Sequence, residues 1–483
     1  MQLIFEKSKP GRRAVKLPRL DVPIKTGLAA KYLRRKEADL PQASELDIVR
    51  HFTNLSRMNF SVDTNFYPLG SCTMKYNPKF TEKIARMEGF SDIHPLIWQL
   101  EAGEKFAQGA LEVVYQLERL LSEITGMSAF TTQPLAGAHG ELTGVMLIAA
   151  YHKAKGNRRK YVIVPDSSHG TNPASAAIAG YEVVVIPSDK NGFMDLEIFK
   201  SKLNPDVAAV MLTCPNTLGI FESQIGQICE AAHKVDALVY YDGANLNAIL
   251  GKARPGDFGF DVVHLNLHKS FGTPHGGGGP GSGPVGVSKK LDEFLPVPRL
   301  IKDADGTIKP EFNRPKSIGR IAPFYGNFGV MLRAYAYILF LGKSGLIEVA
   351  EAAVLNANYC RVKLKEYFDL PYDRVCMHEC VFSATRQKLN GVSALDIAKY
   401  LIEKRIHPPT IYFPLIVPEA IMIEPTETES KETLDNFIKV MKEAAAFAIS
   451  DPQRLKDAPQ NTQVSRLDEA KAVRDLDLRW HPL

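Results

Sequence analysis

Three polar residues each stand just past a short apolar run that reads as a strand. His169 follows YVIV (161–164), Asp242 follows LVYY (238–241), and Lys269 follows VVHLNL (262–267). In an open sheet covered by helices, ligands bind outside the carboxyl ends of the strands. The three side chains can therefore share one crevice although they lie far apart in the chain. A lysine, an acid and a flat imidazole in one crevice suit pyridoxal phosphate. That cofactor needs a lysine for its imine, an acid against its ring nitrogen, a surface for its ring and donors for its phosphate. A carboxylate roughly 3 Å from a protonated pyridine is worth roughly 5 kcal/mol at an effective dielectric near ~20, enough to hold the proton. The lysine must spend time unprotonated, which a dry, cationic pocket favours.

Phosphate donors are expected from LAGAHGELTG (135–144), a small-residue turn that opens a helix running to about Lys153. A helix N-terminus offers free N–H groups and the positive end of a dipole. The backbone of Ala136 and Gly137 is the expected seat, with His268 and Ser270 as further contacts. Each residue also has a plainer reading. Lys269 could be a surface lysine, Asp242 a helix cap, His169 a hydrogen-bonded core histidine, and the Gly137 turn only an N-cap.

The elements that must position these groups alternate between strand and helix. YVIV precedes a small-residue helix at 173–179, VVVI (183–186) a helix near 195–203, and VAAVML (207–212) a helix near 222–235. The strands are continuous apolar runs, as a parallel sheet covered on both faces requires. The class is α/β, with a large doubly wound domain at 101–330. Before it, residues 1–100 read as an irregular arm that wraps another surface. A long helical region near 330–367 opens a small C-terminal α+β domain (331–450) with a strand at 375–384. An extended polar tail (451–483) follows.

Several function classes drop out. A net charge of +5 over 483 residues is too weak to argue for nucleic acid, and the basic run Arg34–Lys36 reads as a solvated helix face. Six cysteines are too sparse for a disulfide scaffold. Cys376 and Cys380 flank His378, but no second ligand pair follows at a zinc spacing, so no metal is expected. The N-terminal stretch lacks the apolar core of a secretory signal, and no apolar run is long enough to span a membrane. A reduced cytoplasm is expected. Gly281-x-Gly283-x-x-Gly286 mimics a dinucleotide fingerprint but follows a glycine run rather than a strand. Gly342-Lys343-Ser344 mimics the end of a phosphate-binding loop, yet the earlier glycine is replaced by Tyr337, so it reads as a helix end.

Six strings are more specific than a cofactor class: YPLGSCTMKYNP, GAHGELTG, PDSSHGTNPASA, YYDGANLNA, LHKSFGTPHGGGGPGSGP and RIAPFYGNFGVMLRAY. Together, from about Asn65 to about Glu427, the chain resembles the P-protein of the glycine cleavage system, the decarboxylating glycine dehydrogenase. The long form of that family has two related halves, and only the second carries the lysine. This chain resembles that second half, the cofactor-bearing subunit 2 of the split form. The resemblance implies an aminotransferase-like fold of type I, with Lys269, Asp242 and His169 at the imine, pyridine-nitrogen and ring-stacking positions. It also implies a homologous subunit 1 in an α2β2 assembly, and glycine as substrate. Carbon dioxide would leave, and the aminomethyl group would pass to the lipoyl arm of H-protein. Gly276–Gly279 would leave room for that arm. His275 is a candidate for proton transfer, with a rigid structural role as the alternative. Arg320 and Arg333 are candidates for the glycine carboxylate, and a redox role for Cys72 stays open.

Two rivals remain at this point. Another enzyme of the same fold, such as an amino-acid decarboxylase or cysteine desulfurase, would explain Lys269, Asp242 and His169 but not YPLGSCTMKYNP or the glycine-rich loop. A non-catalytic scaffold subunit would need none of the three.

Overall fold

Seven strands pair into one sheet in the computed structural model, which describes residues 2–23, 27–36, 38–276 and 281–481. They are β1 (Ala129–Thr131), β2 (Tyr161–Pro165), β3 (Glu182–Ile186), β4 (Val207–Thr213), β5 (Leu238–Gly243), β6 (Val262–Leu265) and β7 (Val285–Val287). Their order is β1-β7-β6-β5-β4-β2-β3. The pairs among β2 to β6 are parallel, while β7 runs antiparallel to both β6 and β1. The sheet is thus mixed, with a parallel centre.

Successive residues of the central strands point to opposite faces, and each face has its own core. Val210, Val239, Tyr241 and Val263 join a cluster with the helices Ile225–Lys234 and Phe328–Leu364. Ala209, Met211, Tyr240 and Val262 join another with the helix Gly137–Ala154. Two covered faces explain why these runs are apolar throughout. The edge strand β3 departs from that expectation: Val185 is 56% exposed, because an edge carries less cover.

After a hairpin of β8 (Arg299–Lys302) and β9 (Ile308–Glu311), a smaller antiparallel sheet follows. It orders β10 (Cys380–Ser383), β11 (Thr410–Ile411) and β12 (Ala420–Ile423) as β10-β12-β11. The helices Ala394–Glu403 and Lys431–Ser450 and the far part of Phe328–Leu364 build its core. The strand read at 375–384 is shorter than expected. Its first residues hydrogen-bond elsewhere, Met377 N–H to the Gly219 carbonyl and Cys376 N–H to Asn358, so they cannot join the ladder. Gly342 interrupts the long helix with φ of 62°, which fits its reading as a helix end.

Contacts divide the chain into two units. One joins Met1–Ser61 to Gln460–Leu483; there Ser44 and Asp47 form a capping box on the helix Glu45–Arg57, and Phe5 stacks on Trp480. The other unit is Val62–Pro459 and holds the seven-stranded and three-stranded sheets and the β8–β9 hairpin. Its first stretch, 62–100, makes only short helical pieces, yet Lys75 within it is buried. The Lys75 ammonium donates to Glu427 at 2.6 Å, the Ser270 carbonyl at 2.8 Å and Asn247 at 2.9 Å. Among the described residues no helix is long and apolar enough to cross a membrane.

The Lys75–Glu427 pair predicts a stability effect. Lys75→Ala leaves a buried carboxylate without its cation, which costs about 3–5 kcal/mol. Urea unfolding should show a loss of that size, and a loss under about 1 kcal/mol would mean that the pair is not an anchor.

Candidate active site

Parallel register brings the polar ends of three strands side by side. Thr213 at the end of β4 is the lateral partner of Asp242 in β5, and Asp242 that of His264 in β6. Just beyond β6, Asn266 precedes a short helix, Leu267–Ser270, that carries Lys269. His169 lies on the loop after β2. These ends face a cavity of about 150 Å³ whose walls include His169, Asp242, Lys269, Gly137, Glu141 and Ser71. The three sequence-predicted side chains therefore converge.

Asp242 is 5% exposed. Asn172 Nδ2 donates to its Oδ2 at 3.0 Å, and the Ala244 N–H to its Oδ1 at 3.1 Å. His264 Nε2 stands 3.5 Å from Oδ1. Burial pushes the carboxyl up, but His264, Asn172, the Ala244 N–H and the nearby Lys269 together outweigh it and hold Asp242 below its usual range. Burial pushes His264 down, against the pull of Asp242. Its Nδ1 lies 2.6 Å from the Tyr240 hydroxyl, so we assign the ring proton to Nε2, facing Asp242. Glu141, one helical turn beyond Gly137, is pushed up to about 7 by burial and by the charge of Asp242. Thr171 Oγ1 donates to Glu141 at 2.8 Å and also lies 2.8 Å from His169 Nδ1. Burial holds His169 below its usual value, so it offers a neutral ring to the cavity.

Lys269 Nζ donates to the Ser71 carbonyl at 2.6 Å. The expected phosphate contacts divide. Gly137 and Ala138 wall the cavity; Ala136, His268 and Ser270 are absent from its lining. The Ala136 carbonyl accepts the Gly140 N–H of the first helical turn, and Ser270 Oγ accepts the Leu246 N–H at 2.7 Å. His268 Nδ1 faces the Ser282 N–H, and burial beside His275 pushes the ring down to about 3. A Cβ on Gly137 would stand 2.5 Å from Asn266, so only glycine lets the helix start come this close.

The arginines lie elsewhere. Arg333 grips Glu82 at 2.8 and 2.9 Å, and the Arg320 guanidinium covers the Phe312 ring at 5.2 Å. Neither lines the cavity. His275 is pushed down to about 4 by burial and by Lys269. Of the glycine run, Gly277–Gly279 lie outside the described residues. Sequence reasoning missed Glu141, Ser71, His378 and Glu379. Glu141 was visible as the acid in GAHGELTG, one turn from the phosphate seat. Glu379 was hidden in a run read as strand.

The residues present fit pyridoxal phosphate. An ionised acid, a neutral ring, a lysine and a helix start surround one cavity. Thr213 Oγ1, Asn266 Oδ1 and His378 Nδ1, all on lining residues, are buried without a hydrogen-bond partner among the described residues. Such atoms at a cavity wall suit a polar ligand.

Solved structures share this architecture. A glycine decarboxylase (P-protein) of the glycine cleavage system, crystallised with an inhibitor, aligns with a TM-score of 0.72 at 21% identity, over 86% of this chain and 93% of that one. A Lactobacillus brevis glutamate decarboxylase aligns with a TM-score of 0.66 at 13% identity, over 89% and 98%. The fold is the aminotransferase-like type I fold of pyridoxal-phosphate enzymes. Family models for the glycine cleavage system P-protein and for the glycine dehydrogenase C-terminal domain match residues 20–309 and 349–470. Relatives named probable glycine dehydrogenase (decarboxylating) subunit 2 follow from Caldanaerobacter subterraneus subsp. tengcongensis and from Bacillus licheniformis. They are 56% and 58% identical, and each alignment covers 99% of this chain and 98% of the relative. The chain belongs to the glycine cleavage system P-protein family, and to its subunit 2 branch.

The raised Glu141 predicts a pH effect. Its folded value, about 7, exceeds its ordinary value of 4.5, so the folded state holds the proton more tightly. That contribution is complete below the ordinary value and is lost as pH rises through about 7, at up to ~1.4 kcal/mol per pH unit. Urea midpoints taken between about pH 5 and pH 7.5 should fall less steeply in Glu141→Gln than in the wild type. Equal slopes would mean that Glu141 titrates normally.

Proposed function

We propose that this chain is the cofactor-bearing subunit of a split glycine decarboxylase. It decarboxylates glycine and passes the aminomethyl group to the lipoyl arm of H-protein, whose disulfide accepts the electrons. The observation that carries this reading is the convergence of Lys269, Asp242 and His169 on one cavity, in a chain that aligns end to end with subunit 2 relatives.

Lys269 is the attachment point for pyridoxal phosphate, and His169 is the surface for its ring. When bound, pyridoxal phosphate supplies an electron sink for the pair left behind when the carboxylate departs. Asp242, kept ionised by Asn172, Ala244 and His264, holds a proton at the ring nitrogen. The Gly137 and Ala138 backbone receives the phosphate at the helix start. Glu141, largely neutral beside Asp242, adds little competing negative charge at lower pH.

A homologous subunit 1 completes the enzyme, in an α2β2 assembly. The relatives' own name, subunit 2, supports such a partner. All six cysteines are free and five are buried, which suits a reducing cytoplasm.

Purified chain should be nearly inactive alone. Adding subunit 1 and lipoylated H-protein should switch on release of carbon dioxide from glycine. Full activity from this chain by itself would overturn the split-subunit reading. In the complete system, Asp242→Asn should lower turnover by at least ~10³-fold at about 1.4 kcal/mol per decade, because an amide cannot hold the ring proton. Cofactor affinity should change far less. Turnover within tenfold of wild type would reduce Asp242 to a structural role.

A further inference from the structure

The turn at 70–73, within YPLGSCTMKYNP, is held from two sides. Ser71 and Thr73 both take left-handed backbone angles, with φ of 60° and 51°, which side-chain-bearing residues adopt only when their surroundings impose it. Two buried acids impose it here. Glu379 accepts the Ser71 N–H at 2.7 Å and lies 3.2 Å from the Ser71 hydroxyl. Glu424 accepts the Thr73 N–H at 2.9 Å, the Thr73 hydroxyl at 2.6 Å and the Asn245 amide at 2.7 Å. Thr410 secures the preceding Gly70 carbonyl at 2.9 Å.

His378, Glu379 and Glu424 bring ligand-capable atoms within 4.8 Å of one another. The carboxylates are already occupied by N–H and O–H donors of the turn, which is the pattern of an anchor rather than of a metal cage. Burial and the charge of Glu424 push Glu379 well above its usual range, so a proton on Glu379 lets two acids sit side by side. With the turn's donors tied down, the Ser71 carbonyl is left to accept Lys269 Nζ at 2.6 Å, at the wall of the cavity.

We infer that the Ser71 carbonyl is the seat of the Lys269 amino group whenever that group is not bonded to the cofactor, and that Glu379 and Glu424 are positioning residues that hold the seat. This rests on the cofactor role of Lys269 proposed above. When the substrate amine takes the place of Lys269, one carbon–nitrogen double bond forms and one breaks. The two protons shed by the incoming amine end on the lysine nitrogen, and nothing is oxidised or reduced. The freed amine needs an acceptor close enough for its return, and this carbonyl provides one. By stabilising the freed state, the seat favours exchange toward substrate.

The test compares full-length wild type with Glu379→Ala, Glu379→Gln and Thr73→Ala. In cofactor-free chain, acetylation of Lys269 by acetic anhydride is followed by peptide mass spectrometry against the exposed Lys200. Loosening the turn weakens the hold of the Ser71 carbonyl on Lys269 and should speed its acetylation roughly tenfold in Glu379→Ala and Thr73→Ala. Glu379→Gln keeps a carbonyl oxygen for the Ser71 N–H and should stay within about threefold of wild type. In chain loaded with pyridoxal phosphate, the glycine concentration that half-completes the spectral change should rise roughly tenfold in the same two variants, with cofactor release no faster. Unchanged acetylation, or glycine binding and cofactor retention weakened together, would overturn the seat. Thr73→Ala removes only a hydroxyl and keeps the test decisive if Glu379→Ala does not fold. Failure of wild type to take up pyridoxal phosphate would instead defeat the functional reading, and the seat's role with it.

Discussion

Asp242 keeps a negative charge where water barely reaches, and much of the surrounding structure follows from that. A buried carboxylate without partners costs several kcal/mol and would take up a proton. Here Asn172, the Ala244 N–H and His264 surround it, and the Tyr240 hydroxyl fixes the histidine from behind. These partners come from the helix after β2, from β5 and its exit, and from β6. They meet because parallel strands place their carboxyl ends at one edge of the sheet. The same charge, with burial, keeps Glu141 protonated to higher pH than an ordinary acid, since two close carboxyls resist ionising together.

The opposite wall is built from sequence far away. The segment that carries Ser71, Thr73 and Lys75 has few regular elements, yet it is fixed by a buried ion pair and two buried acids. Glu379, Glu424 and Glu427 lie beside the three-stranded sheet, while Asn247 and Ser270 follow strands of the seven-stranded one. This segment therefore links the surroundings of the two sheets beside the lysine. A change at Lys75 or Glu424 should be felt at Lys269 although neither residue lines the cavity.

Much of this was legible in the sequence. The apolar runs around 161–164, 207–212, 238–241 and 262–267 revealed a sheet buried on both faces, and the polar residues beyond three of them, His169, Asp242 and Lys269, marked the binding edge. The convergence of Lys269, Asp242 and His169 on one cavity could be read because position after a strand is a local signal. Glu141 was readable in principle from its place one turn beyond Gly137. Glu379 was not, because its neighbours are apolar and its partners, Ser71 and Glu424, come together only through tertiary structure. The same holds for Arg333, whose charge looked available until Glu82 was found against it. Ser270 shows the converse error: it is next to the lysine in sequence, but its hydroxyl is turned to the Leu246 backbone.

The central claim is that Lys269, and no other lysine, carries the cofactor. Lys75 makes a sharp comparison, since it is also buried and lies in another of the family strings. Chain incubated with pyridoxal phosphate, reduced with borohydride and digested can be mapped by mass spectrometry. One modified peptide is expected, with the cofactor fixed on Lys269 and none in Lys269→Ala. A modification on Lys75, or equal labelling of Lys269→Ala, would contradict it.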